Sequence, residues 1–231
     1  MLAGTKRILE LFEDNEFEIF VIQGKNGYGK SAYANRLLAE VYSEDGIHSN
    51  WSVPLLKTKI GFHPMKVITR WERMRKRDKA YHWDDSGTWL SAMDHMDIFC
   101  RSVSKFLQTA RTKFGCIMFT CIDKKDILAK IRHFKSAVII DITKSGNIPG
   151  SSYKSRKYRR IATAYSYWEN RSGKTGYEYQ WEEPYTCYMP DSFYSWYNPI
   201  RQKYANMAIK DMKEKIKNKL DIMNLEKDSE I

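Results

Sequence analysis

The chain has 231 residues, with 39 Lys and Arg against 28 Asp and Glu and a formal net charge of +11. That length can bury a full core and suits one α/β domain with a modest appendage, and the charge surplus points to a polyanionic partner, nucleic acid foremost. No apolar run approaches the ~20 residues of a membrane span, and the N-terminus lacks the apolar stretch of a signal peptide, so a protein of the cytoplasm, without a membrane partner, is expected.

Phe17 to Gln23 is a short apolar run with β-branched and aromatic residues and reads as a buried strand. Gly24-Lys25-Asn26-Gly27-Tyr28-Gly29-Lys30-Ser31 follows, a complete G-x-x-x-x-G-K-[ST] pattern, and Ser31 to Val41 has helix formers with apolar residues at helical spacing. Strand, glycine loop and helix together are the setting in which this pattern cradles phosphates. The glycines let successive N–H groups turn inward, and the helix adds its positive end. Gly24, Asn26, Gly27, Tyr28, Gly29, Lys30, Ser31 and Ala32 are thus the expected nucleotide-binding set. Lys30 would reach the β- and γ-phosphates and the Ser31 hydroxyl would ligate Mg²⁺. A nucleoside triphosphate, ATP by default, is the expected ligand, since no guanine-reading Asn/Thr-Lys-x-Asp element is evident.

Tyr42 to Gly46 reads as a turn, Trp51 to Leu56 has no clear state, and His63 to Arg77 reads as a helix with proline near its start and a basic last turn. Lys79 to Trp83 is the next strand, ending in Asp84-Asp85-Ser86-Gly87. A long helical region from Thr88 to about Phe114 with room for one break, then a strand over Cys116 to Cys121, a short helix over Asp126 to Phe134 and a strand over Ala137 to Ile142 complete the pattern. Strands alternating with helices imply a mostly parallel sheet covered on both faces. Cys100, Cys116, Cys121 and Cys187 show no C-x-x-C spacing and read as buried thiols rather than zinc ligands or a disulfide framework.

A phosphate loop needs an acidic partner for the metal and for water, and strand ends at the carboxyl edge of a parallel sheet share one crevice. Asp84 is assigned to the Mg²⁺ shell and Asp85 is the candidate base, the alternative being a plain acidic turn before Ser86-Gly87. Thr120, ending the next strand, could contact the γ-phosphate or the water, or be an ordinary strand residue. Arg111 could stabilise transferred charge in its own subunit or a neighbour's, or be a solvated helix residue.

The loop, Tyr81-His82-Trp83-Asp84-Asp85-Ser86-Gly87, the strand ending in Thr120 and Tyr185-Thr186-Cys187-Tyr188-Met189-Pro190 resemble small P-loop ATPases of archaeal viruses and plasmids. These are similar to the broader division of P-loop ATPases with an additional strand between the phosphate loop and the acidic strand, which includes DNA translocases, packaging motors and helicases. The resemblance spans most of residues 15–200 and implies a RecA-like sheet of order 5-1-4-3-2 and assembly of identical subunits, typically as a ring. It departs at Asp85, where the division typically carries glutamate.

From Lys144 the character changes, so residues 1–143 are expected to form the P-loop core and 144–231 a basic, aromatic-rich β-hairpin and helical extension packed on it. Ser145 to Ser152 reads as a linker, Tyr158 to Trp168 and Tyr177 to Glu182 as hairpin strands, and Asp191 to about Met223 as helix interrupted near Pro199. Tyr165, Tyr167, Trp168, Tyr177, Tyr179, Trp181, Tyr194, Trp196 and Tyr197 are either stacking platforms for bases or, for most of them, a small aromatic core. Tyr153 to Arg160 is the expected DNA contact, and Arg70 to Arg77 a second candidate. Three functions stay open: a DNA-acting ATPase serving translocation, packaging or replication, a nucleoside or nucleotide kinase with Tyr153 to Arg160 as its lid, and a nucleotide-gated switch.

Overall fold

The computed structural model describes residues 1–43, 49–94, 97–144 and 157–228. It consists of two compact units, Met1–Pro190 and Asp191–Ile231. In the first, strands β1 (Glu18–Gln23), β2 (Ile60–Gly61), β3 (Asp78–Trp83), β4 (Phe114–Thr120), β5 (Ala137–Lys144), β6 (Arg159–Glu169) and β7 (Thr175–Thr186) form one sheet. Its order is β2-β3-β4-β1-β5-β6-β7, with the first five strands parallel and the last two antiparallel. The parallel part has the expected order 5-1-4-3-2, and β4 stands between the phosphate-loop strand and the acidic strand.

Strands buried on both faces must be apolar throughout, and all seven residues of β4 are buried. On one face Ile19, Val21, Tyr81, Trp83, Ile117 and Phe119 meet Val67 and Trp71 of α4 (Pro64–Arg73) and Val103 and Leu107 of α5 (Ile98–Leu107). Trp71 is the hub there, stacked on Phe106 and edge-on to Tyr81, Trp83 and Phe114. The opposite face is covered by α1 (Ala3–Glu13) and α2 (Lys30–Val41). Helix α1 was not among the expected elements. Ile8 and Leu11 are its buried apolar stripe, and the carboxylates of Glu40 and Glu183 accept from the backbone N–H groups of Leu2 and Ala3 at its start.

Three expectations are corrected. Among the described residues from Thr88 to Phe114 only α5 is α-helical, because Asp97 caps that helix by accepting from the N–H of Phe99 and Cys100, while Ser91 bridges to Ile127. The helix expected over Asp126 to Phe134 shortens to α6 (Ala129–Arg132), preceded by a 3₁₀ turn that Asp123 and Asp126 close as a capping box. Pro199 does not interrupt the terminal helix α7 (Asp191–Asp228), which runs through it. A proline removes one donor and crowds the carbonyl four residues back, and turns on both sides keep the rest of the ladder. A further short helix is α3 (Val53–Leu56).

The hairpin continues the main sheet rather than forming a separate layer. β6 pairs along β5 from Val138↔Ser166 to Lys144↔Arg160, and β7 pairs along β6 with a bulge at Ala164/Tyr165. The expected division at 143/144 therefore falls at the end of a central pairing, and the first compact unit extends to Pro190. The linker expected over Ser145 to Ser152 lies outside the described residues. Within α7, Phe193 and Tyr197 stack one turn apart at 5.7 Å.

Candidate nucleotide-binding site

The loop leaves β1 at Gly24 and enters α2 at Lys30, and three of its residues need positive φ: Gly24 (+147°), Gly27 (+77°) and Gly29 (+96°). At Gly29 a Cβ would also stand 2.7 Å from the Cys187 Cβ, so only glycine fits on both counts. Lys30 is nearly buried and its ammonium donates to the carbonyls of Gly24 at 2.8 Å and Lys25 at 3.4 Å, which folds it back over the loop. Helix α2 begins at Lys30, so its positive N-terminal end lies at this loop.

Asp84 follows β3 directly and is fully buried, with its own N–H bonded to the Gly61 carbonyl at 2.8 Å. Its Oδ1 accepts from the Ser31 hydroxyl at 2.7 Å and from the Thr120 hydroxyl at 2.9 Å. Thr120 Oγ1 in turn accepts from the N–H of Asp85 at 2.8 Å, and its carbonyl accepts from the Ser86 hydroxyl at 3.1 Å. Asp85 takes a left-handed conformation, φ +49°, a turn that aspartate tolerates better than most residues. Asn26, Lys30, Asp85 and Thr120 line a cavity of about 380 Å³, and Cys121 and Lys125 form part of its wall. Burial pushes the Cys121 thiol up to about 12, so this thiol stays protonated at neutral pH.

The carboxyl ends of β1, β3 and β4 thus bring together Lys30, Ser31, Asp84, Asp85 and Thr120, and Ala32 is buried in the first turn of α2. Arg111 is not brought there. It sits exposed in the 3₁₀ turn Ala110–Thr112 that precedes β4, while Thr120 ends that strand. Seven strand residues at ~3.3 Å each put roughly 20 Å between them. Arg111 therefore cannot serve the site of its own subunit.

Two residues without an expected role complete the surroundings. His82 is fully buried on β3, its Nδ1 is 2.8 Å from Asn35 Oδ1 of α2, and its Nε2 lies 3.4 Å from Asp84 Oδ1 without hydrogen-bond geometry. The signal in the sequence is only its place, a histidine inside an apolar strand two residues before Asp84. The hairpin also braces the loop: Arg160 Nε donates to the Tyr28 carbonyl at 2.9 Å and the Tyr185 hydroxyl to the Gly29 carbonyl at 3.0 Å. Arg160 is buried, and its Nη1 is spent on the carbonyls of Lys157 and Arg159. It supports the glycine loop. Tyr153 to Arg156 lie outside the described residues. Of the nine aromatics weighed as stacking platforms, Tyr167 and Tyr197 are buried, whereas Trp168, Tyr177, Tyr179 and Tyr194 are exposed. Cys100, Cys116 and Cys121 are buried free thiols and Cys187 is half-buried.

Fold and site together place a G-x-x-x-x-G-K-[ST] loop on a 5-1-4-3-2 parallel sheet, with an acidic strand end hydrogen-bonded to the loop serine. No known protein-family profile matches the chain. It is 26% identical over 220 residues to a protein of Sulfolobus spindle-shape virus 1, the uncharacterized protein B-251, an alignment covering 91% of this chain and 84% of that relative. Among solved structures it is similar to the N-terminal domain of zonular occludens toxin from Neisseria meningitidis, at 15% identity and a TM-score of 0.41, over 77% of this chain and 97% of that one. Among the described residues no helix is long and apolar enough to cross a membrane.

Proposed function

We propose that the chain is a Mg²⁺-dependent ATPase that acts on DNA, serving translocation, packaging or replication in an archaeal virus or plasmid. The observation that carries the nucleotide part is the joined set Ser31–Asp84–Thr120, held by hydrogen bonds at the mouth of a loop whose glycines adopt positive φ. One carboxylate and one hydroxyl are a hard-oxygen pair, which fits Mg²⁺: that ion keeps several waters and draws further ligands from phosphate oxygens. Ser31 and Asp84 would hold it, and it would supply neutralisation of charge on the β- and γ-phosphates.

The residues of the chain supply the rest. Loop N–H groups and the Lys30 ammonium bind the phosphates, and a triphosphate would draw that ammonium away from the Gly24 carbonyl it now meets. Asp85 faces the cavity and accepts the proton of an attacking water, with Thr120 fixing its backbone. Arg111, too far from its own site, would act in a neighbour's, consistent with identical subunits assembled as a ring. The net charge of +11 supports a DNA partner.

The test is phosphate release from ATP with and without single- and double-stranded DNA. The proposal expects turnover that DNA raises severalfold. Phosphate transfer to a nucleoside would favour a kinase, and tight nucleotide binding with no turnover a switch.

A further inference from the structure

One face of the hairpin carries four tyrosines in two cross-strand pairs, Tyr165 opposite Tyr179 and Tyr167 opposite Tyr177. The bulge makes this face. Ala164 pairs with Trp181 and Tyr165 already with Tyr179, so the extra residue turns Tyr177 and Tyr179 to the side of Tyr165 while Trp181 packs inward on Phe20 at 6.0 Å. The rings meet at 6.3 Å and 76° in one pair and at 5.8 Å and 60° in the other. His133, just after α6, stacks on Tyr167 at 4.9 Å and 19°, which extends the row. Tyr179 is 58% exposed and Tyr177 37%, far more than a cross-strand pair in a core.

Cations border the row. Lys124 Nζ stands 3.8 Å from the centre of the Tyr177 ring, and Arg132 acts with Lys124 on His133, whose proton affinity is lowered first by burial and then by these two charges. Glu169 opposes them near His133, and Glu182 on the same face is held by the Thr163 hydroxyl. The row also touches the nucleotide site through one short loop: the Lys124 N–H donates to the Gln23 side chain, one residue before Gly24, and Lys125 lines the cavity.

We propose that this tyrosine face is the seat of single-stranded DNA, with bases stacking on Tyr179 and, as Lys124 turns from the ring it covers to a phosphate, on Tyr177. The proposal rests on the DNA-acting reading above. Exposed rings flanked by cations suit unpaired bases, whose π-faces a duplex hides. Seating DNA against Lys124 would bear on the segment joining Gln23 to the cavity wall, a direct route for DNA to alter turnover.

The experiment is fluorescence anisotropy with a labelled 20-mer of thymidine and with a 20-base-pair duplex, for the parent, Tyr177→Ala/Tyr179→Ala and Tyr177→Phe/Tyr179→Phe. Stacking of ~1–3 kcal/mol per base corresponds to about 5- to 150-fold, so the Ala pair should lose at least tenfold for the single strand and little for the duplex. The Phe pair should stay near the parent, and basal ATP hydrolysis should persist in both. Photocrosslinks from iododeoxyuridine to the parent should map to Tyr177 or Tyr179, which tests the site without any substitution. Unchanged single-strand affinity in a folded Ala pair, crosslinks elsewhere, or a parent dimer that the Ala pair dissolves would overturn this surface while leaving the DNA reading in place. A parent that binds neither DNA would overturn both.

Discussion

Thr120→Val tests the network that joins the phosphate loop to the acidic strand. The hydroxyl is fully buried, donates to the Asp84 carboxylate at 2.9 Å and accepts from the Asp85 N–H at 2.8 Å. Valine keeps the branched shape and removes both bonds. A hydrogen bond to a charged group contributes ~1.5–3 kcal/mol, and orphaning a buried N–H costs ~1–3 kcal/mol. The two share one atom and do not add fully, so a loss of about 2–4 kcal/mol is expected. At ~2–4 °C per kcal/mol for a unit of this size, Tm should fall by about 5–15 °C. Guanidinium unfolding without nucleotide reads the energy, and ATP turnover reads the site: Asp85 loses the tether at its strained φ, so kcat should drop more than KM changes. Thr120→Ser, which keeps the hydroxyl, should cost ~1 kcal/mol or less. A valine variant within about 0.5 kcal/mol of the parent, or a serine variant equally damaged, would refute the reasoning.

Gly29→Ala should lower Tm and nucleotide affinity more than Gly27→Ala, since both need positive φ but only Gly29 has a neighbour, the Cys187 Cβ at 2.7 Å; differential scanning calorimetry and calorimetric titration with Mg-ATP compare them. Arg160→Ala should weaken Mg-ATP binding by about 3- to 30-fold through loss of the bond to the Tyr28 carbonyl, and Arg160→Lys should recover little because the guanidinium fork is lost; the same titration reads both. Asp85→Asn should stop phosphate release while leaving Mg-ATP binding within a few-fold, whereas Asp84→Asn should raise the Mg²⁺ requirement; single-turnover kinetics over a Mg²⁺ series separate the two.

The phosphate loop was legible because its chemistry is local: glycine spacing, the lysine and the serine all lie within eight residues between a strand and a helix. Asp84, Asp85 and Thr120 were legible one step later, from the rule that parallel strands end on a common edge. Arg111 shows the limit of that step, since it was read near Thr120 in sequence and lies at the other end of the same strand. Arg160 was read as a phosphate contact because it belongs to a basic run, but it pairs with the loop across 132 residues, a distance no local pattern encodes. Likewise the His82–Asn35 contact joins a strand to a helix 47 residues away. The region after Gly87 misled because its apolar spacing is helical, whereas Asp97 starts the helix late and Ser91 takes a strand-like partner at Ile127. The hairpin's place as an edge of the main sheet follows from β5 pairing, which its own alternation could not reveal.

Steady-state phosphate release from Mg-ATP by the parent and by Lys30→Ala tests the central claim most directly. The Lys30 ammonium is folded over the loop by the Gly24 and Lys25 carbonyls, where it would meet the β- and γ-phosphates. The account predicts measurable Mg²⁺-dependent turnover in the parent and its loss, with weakened nucleotide binding, in the variant. Equal turnover in the two proteins, or none in the parent with Mg²⁺ and DNA both supplied, would contradict it.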